Sequence, residues 1–190
     1  MPQPDHVSAL PIGDPARLDD DLTAAYAKCI EKLGFVPNVL QAYSLRPTKL
    51  RNFMAMYNEL MLAPSGLSKL EREMVAVVVS SANRCYYCLV AHGQAVRKLS
   101  GDAELGEMMV MNYRVAKLDA RQRAILDFAW KLTTTPHDVG EADRAALGKV
   151  GLSEQDIFDL AETIGFFNMS NRMAYALDMM PNREYHRLDR

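Results

Sequence analysis

The stretch from Glu73 to His92 constrains this chain most, because it holds two of the three cysteines, a histidine and an acid. Cys85, Cys88 and His92 stand at positions i, i+3 and i+7, offsets that fall within one narrow arc of an α-helix. Asn83 is the expected N-cap residue, which would place both cysteines in the first turns of that helix. A helix N-terminus stabilises a thiolate, the reactive form of cysteine. The pattern therefore predicts a redox-active dithiol with an imidazole on the same face.

Glu73 is expected to join this group through the geometry of a helix hairpin. If residues 70–81 form a second helix that turns back just before Cys85, Glu73 lies about nine residues from the turn and His92 about eight. At ~1.5 Å per residue, both stand ~12–14 Å from the turn. A carboxylate level with the histidine would orient the ring and relay a proton. The predicted order is Glu73, His92, Cys88 and Cys85, a base chain that ends in a disulfide-forming pair.

Three other interpretations of the cysteine pair remain open at this point. Two cysteines and His92 supply three zinc ligands, and Glu73 would be a fourth. Buried cysteines also occur as inert small hydrophobes. The run 75–79 is rich in valine, and a strand followed by CxxC and a helix is the thioredoxin order. A capping box at Ser68 and Glu71 favours helix over strand for this run.

The rest of the chain is predicted to be helical, with an N-terminal arm at residues 1–17, a helical domain at 18–180 and a charged tail at 181–190. Apolar spacing, capping residues and prolines define the helices. The apolar stripe of the last helix is interrupted by three polar residues, Asn168, Asn171 and Arg172. In a buried helix their polar groups need hydrogen-bond partners, which we expect to be neighbouring backbone or a subunit contact. The predicted helices cover residues 18–33, 37–44, 47–62, 70–81, 83–99, 103–112, 117–132, 141–149 and 153–178.

Composition narrows the function classes. The 190 residues are 49% apolar, which suits one domain with a sizeable core. The net charge is −2 and Lys and Arg are scattered, so we expect no nucleic-acid surface. The polar, proline-rich N-terminus is unlike a signal peptide, and no apolar run approaches the ~20 residues that span a bilayer. An odd number of cysteines argues against a secreted disulfide framework, so we expect a cytoplasmic protein without membrane partners.

The spacing Glu73-x11-Cys85-x2-Cys88-x3-His92 resembles the active-site signature of the alkylhydroperoxidase D-like branch of the carboxymuconolactone decarboxylase superfamily. Further segments, from about Leu18 to Leu177, resemble a subgroup known as uncharacterised peroxidase-related enzymes. These segments are 33–38 (Leu-Gly-Phe-Val-Pro-Asn), 45–47 (Leu-Arg-Pro), 66–68 (Gly-Leu-Ser), 83–88 (Asn-Arg-Cys-Tyr-Tyr-Cys), 92–93 (His-Gly), 126–132 and 167–172 (Phe-Asn-Met-Ser-Asn-Arg). The resemblance implies an all-α, single-domain helical bundle that forms a homo-oligomer (dimer, trimer or hexamer).

The resemblance also implies thiol-dependent reduction of hydroperoxides, with no bound cofactor or metal. In it, Cys88 takes the place of the peroxidatic cysteine, Cys85 of the resolving cysteine, His92 of the proton-relay histidine and Glu73 of its acidic partner. The partners are then a small hydroperoxide and an external thiol or dithiol reductant. Alkylhydroperoxidase D has a histidine directly before the second cysteine, whereas this chain has Tyr87.

Two further function classes are compatible with the sequence. The superfamily also contains carboxymuconolactone decarboxylases, which do not depend on a CxxC. A different class is an interaction protein that binds zinc or senses redox state through the cysteine pair. Bound metal, or a disulfide that forms without turnover, would distinguish these from a peroxidase.

Overall fold

A computed structural model describes residues 2–190, so Met1 of the predicted arm lies outside it. Within these residues the chain forms helices and no strand, which confirms the all-α prediction and makes the thioredoxin alternative wrong. Short 3-10 turns lie at Pro15–Arg17, Tyr113–Val115, Pro136–Asp138 and Arg183–His186. The α-helices are α1 (Asp20–Leu33), α2 (Asn38–Tyr43), α3 (Pro47–Leu62), α4 (Lys69–Ala82), α5 (Tyr86–Ser100), α6 (Ala103–Asn112), α7 (Ala120–Thr134), α8 (Glu141–Lys149) and α9 (Glu154–Ala176).

Helix α4 is the centre of the core, and every residue from Glu71 to Ser80 is buried. It packs against α5, α6, α7 and α9, which explains why its valine run is apolar on all sides. The predicted capping box starts the helix: Ser68 Oγ accepts from the backbone N–H of Glu71, and Glu71 Oε2 accepts from the Ser68 N–H at 2.7 Å. A core position and a strong N-cap together override the strand preference of valine.

The turn between α4 and α5 fixes where Cys85 stands. Arg84 has the left-handed backbone (φ 57°), and the Cys85 N–H donates to the Ser80 carbonyl at 2.9 Å, the arrangement that closes a Schellman motif. Cys85 itself is the N-cap of α5. The prediction that Asn83 is this N-cap is wrong. Asn83 is the C-cap of α4, because the turn is two residues longer than expected.

Helices α5 and α6 approach each other closely at two glycines. A Cβ atom on Gly93 would lie 3.1 Å from Val110 Cγ2, and one on Gly106 would lie 3.3 Å from the Gly93 carbonyl oxygen. The missing side chains allow the close packing that a larger residue would prevent. Gly93, directly after His92, therefore has a packing reason within the α5 helix.

The two ends of the chain lie against each other beside α9. The Ala9 N–H donates to the Leu177 carbonyl at 2.8 Å, and the Met180 N–H donates to the Val7 carbonyl at 3.1 Å. The tail then packs on α5, where the buried Arg97 guanidinium donates to the Tyr185 carbonyl at 2.9 Å. Among residues 2–190, no helix has both the length and the apolarity to cross a bilayer.

Candidate active site

Helices α4 and α5 bring Glu73 and His92 together. His92 Nδ1 lies 2.7 Å from Glu73 Oε2, and the two side chains are only 13% and 11% exposed. A carboxylate accepts hydrogen bonds, so Nδ1 donates to Glu73 and Nε2 is the ring nitrogen that faces away from it. The Phe167 ring packs edge-on against the imidazole at 4.7 Å between ring centroids. The ring is therefore held from two sides, as a proton relay requires.

Cys85 is the more acidic thiol of the pair. Its pKa is lowered from 9.0 to about 7, first by a hydrogen bond from the Cys88 thiol and then by the backbone N–H of Cys88, the charge of His92 and the N–H of Tyr87. Burial acts in the opposite direction. The backbone contribution follows from the N-cap position, although no capping hydrogen bond of standard geometry forms.

Cys88, in the first turn of α5, has the opposite character. Its hydrogen bond to Cys85, its burial and the negative charge of Cys85 raise its pKa well above the usual value. Hydrogen bonds from Asn171 and Ser80 act against this rise. Of the two neighbouring thiols, Cys85 therefore ionises more readily, and Cys88 lies one helical turn before His92.

The third cysteine belongs to a different part of the core. Cys29 is half-buried on α1 and packs against the main core, whereas Cys85 and Cys88 lie in a separate small cluster. Burial raises the pKa of the Cys29 thiol. Among residues 2–190, no group of three or more His, Cys, Asp and Glu side chains is arranged to hold a metal ion, so the zinc alternative gains no support from the geometry.

Comparison with known proteins identifies the family. The Carboxymuconolactone decarboxylase family profile matches residues 47–129. The crystal structure of an uncharacterized peroxidase-related protein from Silicibacter sp. TM1040 is 58% identical over 100% of both chains, with a TM-score of 0.94. This chain belongs to the alkylhydroperoxidase D-like branch of the carboxymuconolactone decarboxylase family.

Two other structures agree with this assignment. The alkylhydroperoxidase AhpD core, an uncharacterized peroxidase-related protein from Ralstonia eutropha JMP134, is 40% identical over 98% of both chains, with a TM-score of 0.94. The debrominase Bmp8 is 18% identical, with a TM-score of 0.78 over 97% of this chain and 96% of its own, and so shares the fold. No curated protein sequence is significantly similar to the chain.

Tyr87, the departure from the alkylhydroperoxidase D pattern, has a structural role. Its buried hydroxyl accepts a hydrogen bond from the Val39 N–H, at the start of α2, at 2.9 Å. Burial raises the pKa of this phenol well above its usual value. Tyr87 therefore does not replace the missing histidine as a base; it ties α2 to the CxxC helix.

The dithiol is covered rather than open. Cys85 and Cys88 are each 2% exposed, and they pack with Ala42 of α2, Ala174 of α9 and Met179 just beyond α9. The His92 side chain, at 13%, is the more exposed group of the site.

Sequence reasoning did not assign several residues that surround the site. Asn171 donates to Ser80 at 3.0 Å and both lower the pKa of Cys88, although only the polarity of Asn171 on an apolar stripe had signalled a special role. Burial raises the pKa of the Tyr57 phenol in α3 and of the Tyr185 phenol in the tail, and the negative charge of Glu73 adds to both shifts.

Proposed function

We propose that this protein is a thiol-dependent peroxidase that reduces organic hydroperoxides or hydrogen peroxide through a Cys85–Cys88 dithiol/disulfide cycle. The observation that carries the proposal is the 2.7 Å contact between Glu73 and His92, one helical turn beyond Cys88. An oriented imidazole one helical turn beyond Cys88 supports a role for His92 as the base that deprotonates this thiol, which does not ionise readily by itself. The peroxidase-related character of the relatives supports the same assignment.

In the proposed cycle, Glu73 orients His92, and His92, Cys88 and Cys85 act in turn. His92 Nε2 takes the proton of Cys88, and the thiolate attacks the distal oxygen of the hydroperoxide. The O–O bond breaks, the leaving oxygen takes the proton back as an alcohol or water, and Cys88 becomes a sulfenic acid. The Cys85 thiolate then attacks the Cys88 sulfur, forming the disulfide, and the displaced hydroxide leaves as water after protonation. An external thiol or dithiol supplies two electrons and two protons to restore the pair.

The test is the mass of the reduced protein before and after one equivalent of an organic hydroperoxide. We expect the loss of two hydrogens, mapped to a Cys85–Cys88 bond and reversed by a dithiol. Cys88→Ser should abolish peroxide turnover; full turnover in this variant would exclude the mechanism. Glu73→Gln should slow turnover by about 10²-fold, because the relay loses its charge.

Glu71→Gln is the matched control for Glu73→Gln. Glu71 is also a buried glutamate of α4, but it serves the capping box and pairs with Arg121 at 2.8 Å. Its loss should lower stability and leave the turnover of the folded enzyme within about threefold, since Glu71 does not contact the relay. Equal losses in both variants would mean that Glu73 acts only through stability.

A decarboxylase-type reaction is the second candidate, favoured by the match of residues 47–129 to the Carboxymuconolactone decarboxylase family profile. It would use the Glu73–His92 pair as acid and base without the dithiol. Activity on a lactone acid that survives replacement of both cysteines by serine would establish it. A third outcome, stoichiometric oxidation without turnover by any donor, would instead indicate a redox sensor.

We also propose that the protein is a cytoplasmic homo-oligomer. Met111 in the last turn of α6 and Val115 in the 3-10 turn that follows are largely exposed apolar side chains, which a second copy would cover. Light scattering that returns the mass of a single chain at micromolar concentration would exclude this part of the proposal.

A further inference from the structure

A cavity of about 430 Å³ lies where the two ends of the chain meet the start of α5. Its walls are Pro2 and Gln3 of the arm, Tyr86 of α5 and four residues of the tail between positions 183 and 187. This volume is within the range of small-molecule sites. Tyr86 stands between the two cysteines in sequence, yet it is 46% exposed and lines this cavity. The proposed peroxidase cycle does not use the cavity.

The walls of the cavity are tied to one another by hydrogen bonds. The Tyr86 hydroxyl donates to Gln3 Oε1 at 3.3 Å and lies 3.2 Å from His186 Nε2. Gln3 Nε2 donates to the Pro181 carbonyl at 2.7 Å, and Arg183 Nη2 donates to the Gln3 carbonyl at 2.7 Å. Arm, helix and tail therefore hold the walls in place before a ligand arrives, which lowers the entropic cost of binding.

Positive charge prevails on the lining of the cavity. The guanidinium groups of Arg183 and Arg187 and the carboxylate of Glu184 line it. Arg183 pairs with Asp5, whose side chain is 92% exposed, so water screens this pair. Arg187 is also exposed, and within residues 2–190 it forms no ion pair. The Arg187 guanidinium is therefore the group of the lining that can pair with an anion.

His186, another residue of the lining, experiences the same positive charge. Burial lowers the pKa of its imidazole below 6.5, and the charges of Arg190, Arg97 and Arg183 lower it further. Arg97 is buried and donates to the Tyr185 carbonyl at 2.9 Å. Surroundings that disfavour a proton on an imidazole favour an anion in the same place.

We propose that this cavity binds a small molecule that carries a carboxylate or phosphate group, and that the bound molecule holds the two chain ends together on α5. Arg187 would contact the anionic group through two N–H groups at once. The Tyr86 ring and Pro2 supply apolar surface for the rest of the molecule. The inference goes beyond the proposed peroxidase function and does not depend on it.

The test is isothermal titration calorimetry of the full chain at constant ionic strength with three probes: benzoate, its neutral isostere benzamide, and inorganic phosphate. We expect benzoate or phosphate to bind at one site per chain, and benzamide to bind more weakly than the tighter of the two by about tenfold or more, because it has no charge. The tighter probe decides between a carboxylate and a phosphate ligand. No binding of either anion, or equal affinity for benzoate and benzamide when phosphate does not bind, would overturn the proposal.

Variants of the lining separate this site from general attraction of anions. Arg187→Gln should weaken binding of the tighter probe by about tenfold, the effect of losing a hydrogen bond to a charged group. Glu184→Gln should strengthen binding by about threefold, since it removes a carboxylate from the lining. Arg144→Gln is the matched control: it removes the same charge from an exposed position of α8 and should leave the affinity within about twofold. Equal losses in Arg187→Gln and Arg144→Gln would overturn the proposal.

Amide hydrogen exchange locates the bound probe. The tighter probe should slow exchange in residues 3–9 and 181–190 together, because it contacts both ends of the chain, and should leave α8 unchanged. Binding that leaves exchange at the two ends unchanged would overturn the location of the site. No peroxide or thiol enters either measurement, so failure to reduce hydroperoxides and failure of this inference remain separate results.

Discussion

At the scale of single residues, the pKa values of the Cys85 and Cys88 thiols are shifted in opposite directions, although the two residues are only three positions apart. Cys85 occupies the N-cap of α5, where backbone N–H groups and the Cys88 thiol stabilise its negative charge. Cys88 lies inside the first turn, where the same thiolate opposes a second charge. In the proposed cycle, this division matches a Cys88 that the Glu73–His92 pair deprotonates and a Cys85 thiolate that closes the disulfide.

The first prediction concerns the pH dependence of Cys85 in the reduced protein. Its lowered pKa makes the thiolate the main form above about pH 7, so alkylation should rise with pH and level off above that value. Cys29 is the internal control: its raised pKa should keep its alkylation rate rising beyond pH 9. Peptide mapping separates the two thiols. A Cys85 midpoint near 9 would contradict the proposed division of roles.

At the scale of helices, α2 acts as a cover over the dithiol. It is only six residues long, so it depends on tertiary contacts for its position. Ala42 packs on the cysteine cluster, and the Val39 N–H donates to the Tyr87 hydroxyl. The position that holds a histidine in alkylhydroperoxidase D thus serves here to fasten a short helix.

The second prediction is that Tyr87→Phe loosens this cover. Loss of one buried hydrogen bond should cost about 1 kcal/mol, or roughly 2–4 °C in Tm, and alkylation of Cys85 should become several-fold faster. Tyr86→Phe is the control, because the Tyr86 hydroxyl contacts His186 and Gln3 rather than α2. Equal alkylation rates in both variants and the parent protein would show that Tyr87 does not limit access.

At the scale of the whole molecule, the N-terminal arm connects the two covers of the dithiol, which are α2 and the chain just after α9. Residues 7–9 bond the chain just after α9, and the Gly13 N–H donates to Ser44 Oγ, at the end of α2, at 2.9 Å. Farther out, Arg183 of the tail pairs with Asp5. The arm and the tail are therefore mutually dependent parts of the fold rather than independent ends.

The third prediction is that removal of residues 2–13 destabilises the protein and exposes the dithiol. Loss of these long-range hydrogen bonds should cost on the order of 1–3 kcal/mol, which thermal unfolding measures, and should speed alkylation of Cys85 and Cys88. Removal of residues 2–4 alone keeps the contacts of residues 7–9 and of Gly13, so its effect on alkylation should be small. If the two truncations behave alike, the arm does not hold the covers in place.

The sequence by itself determined the helices and the register of the central hairpin. Capping boxes, prolines and apolar spacing are local signals, so the predicted ends of α3, α6 and α8 agree with the structure, and α4 extends one residue further at each end. The rise per residue of two antiparallel helices was enough to bring Glu73 level with His92. Asn83 was misassigned because a turn closed by Arg84 in the left-handed conformation leaves no regular pattern in the sequence.

Only the tertiary structure decided what surrounds the dithiol. Asn171 reaches Ser80 across 91 positions of sequence, Tyr87 reaches Val39 across 48, and the arm meets residues about 170 positions away. We expected Asn171 to bond neighbouring backbone or another subunit; it bonds side chains of α4 and the α4–α5 turn instead. Such contacts depend on how helices pack in three dimensions, and helical periodicity specifies which face of a helix is buried but not which side chain it meets.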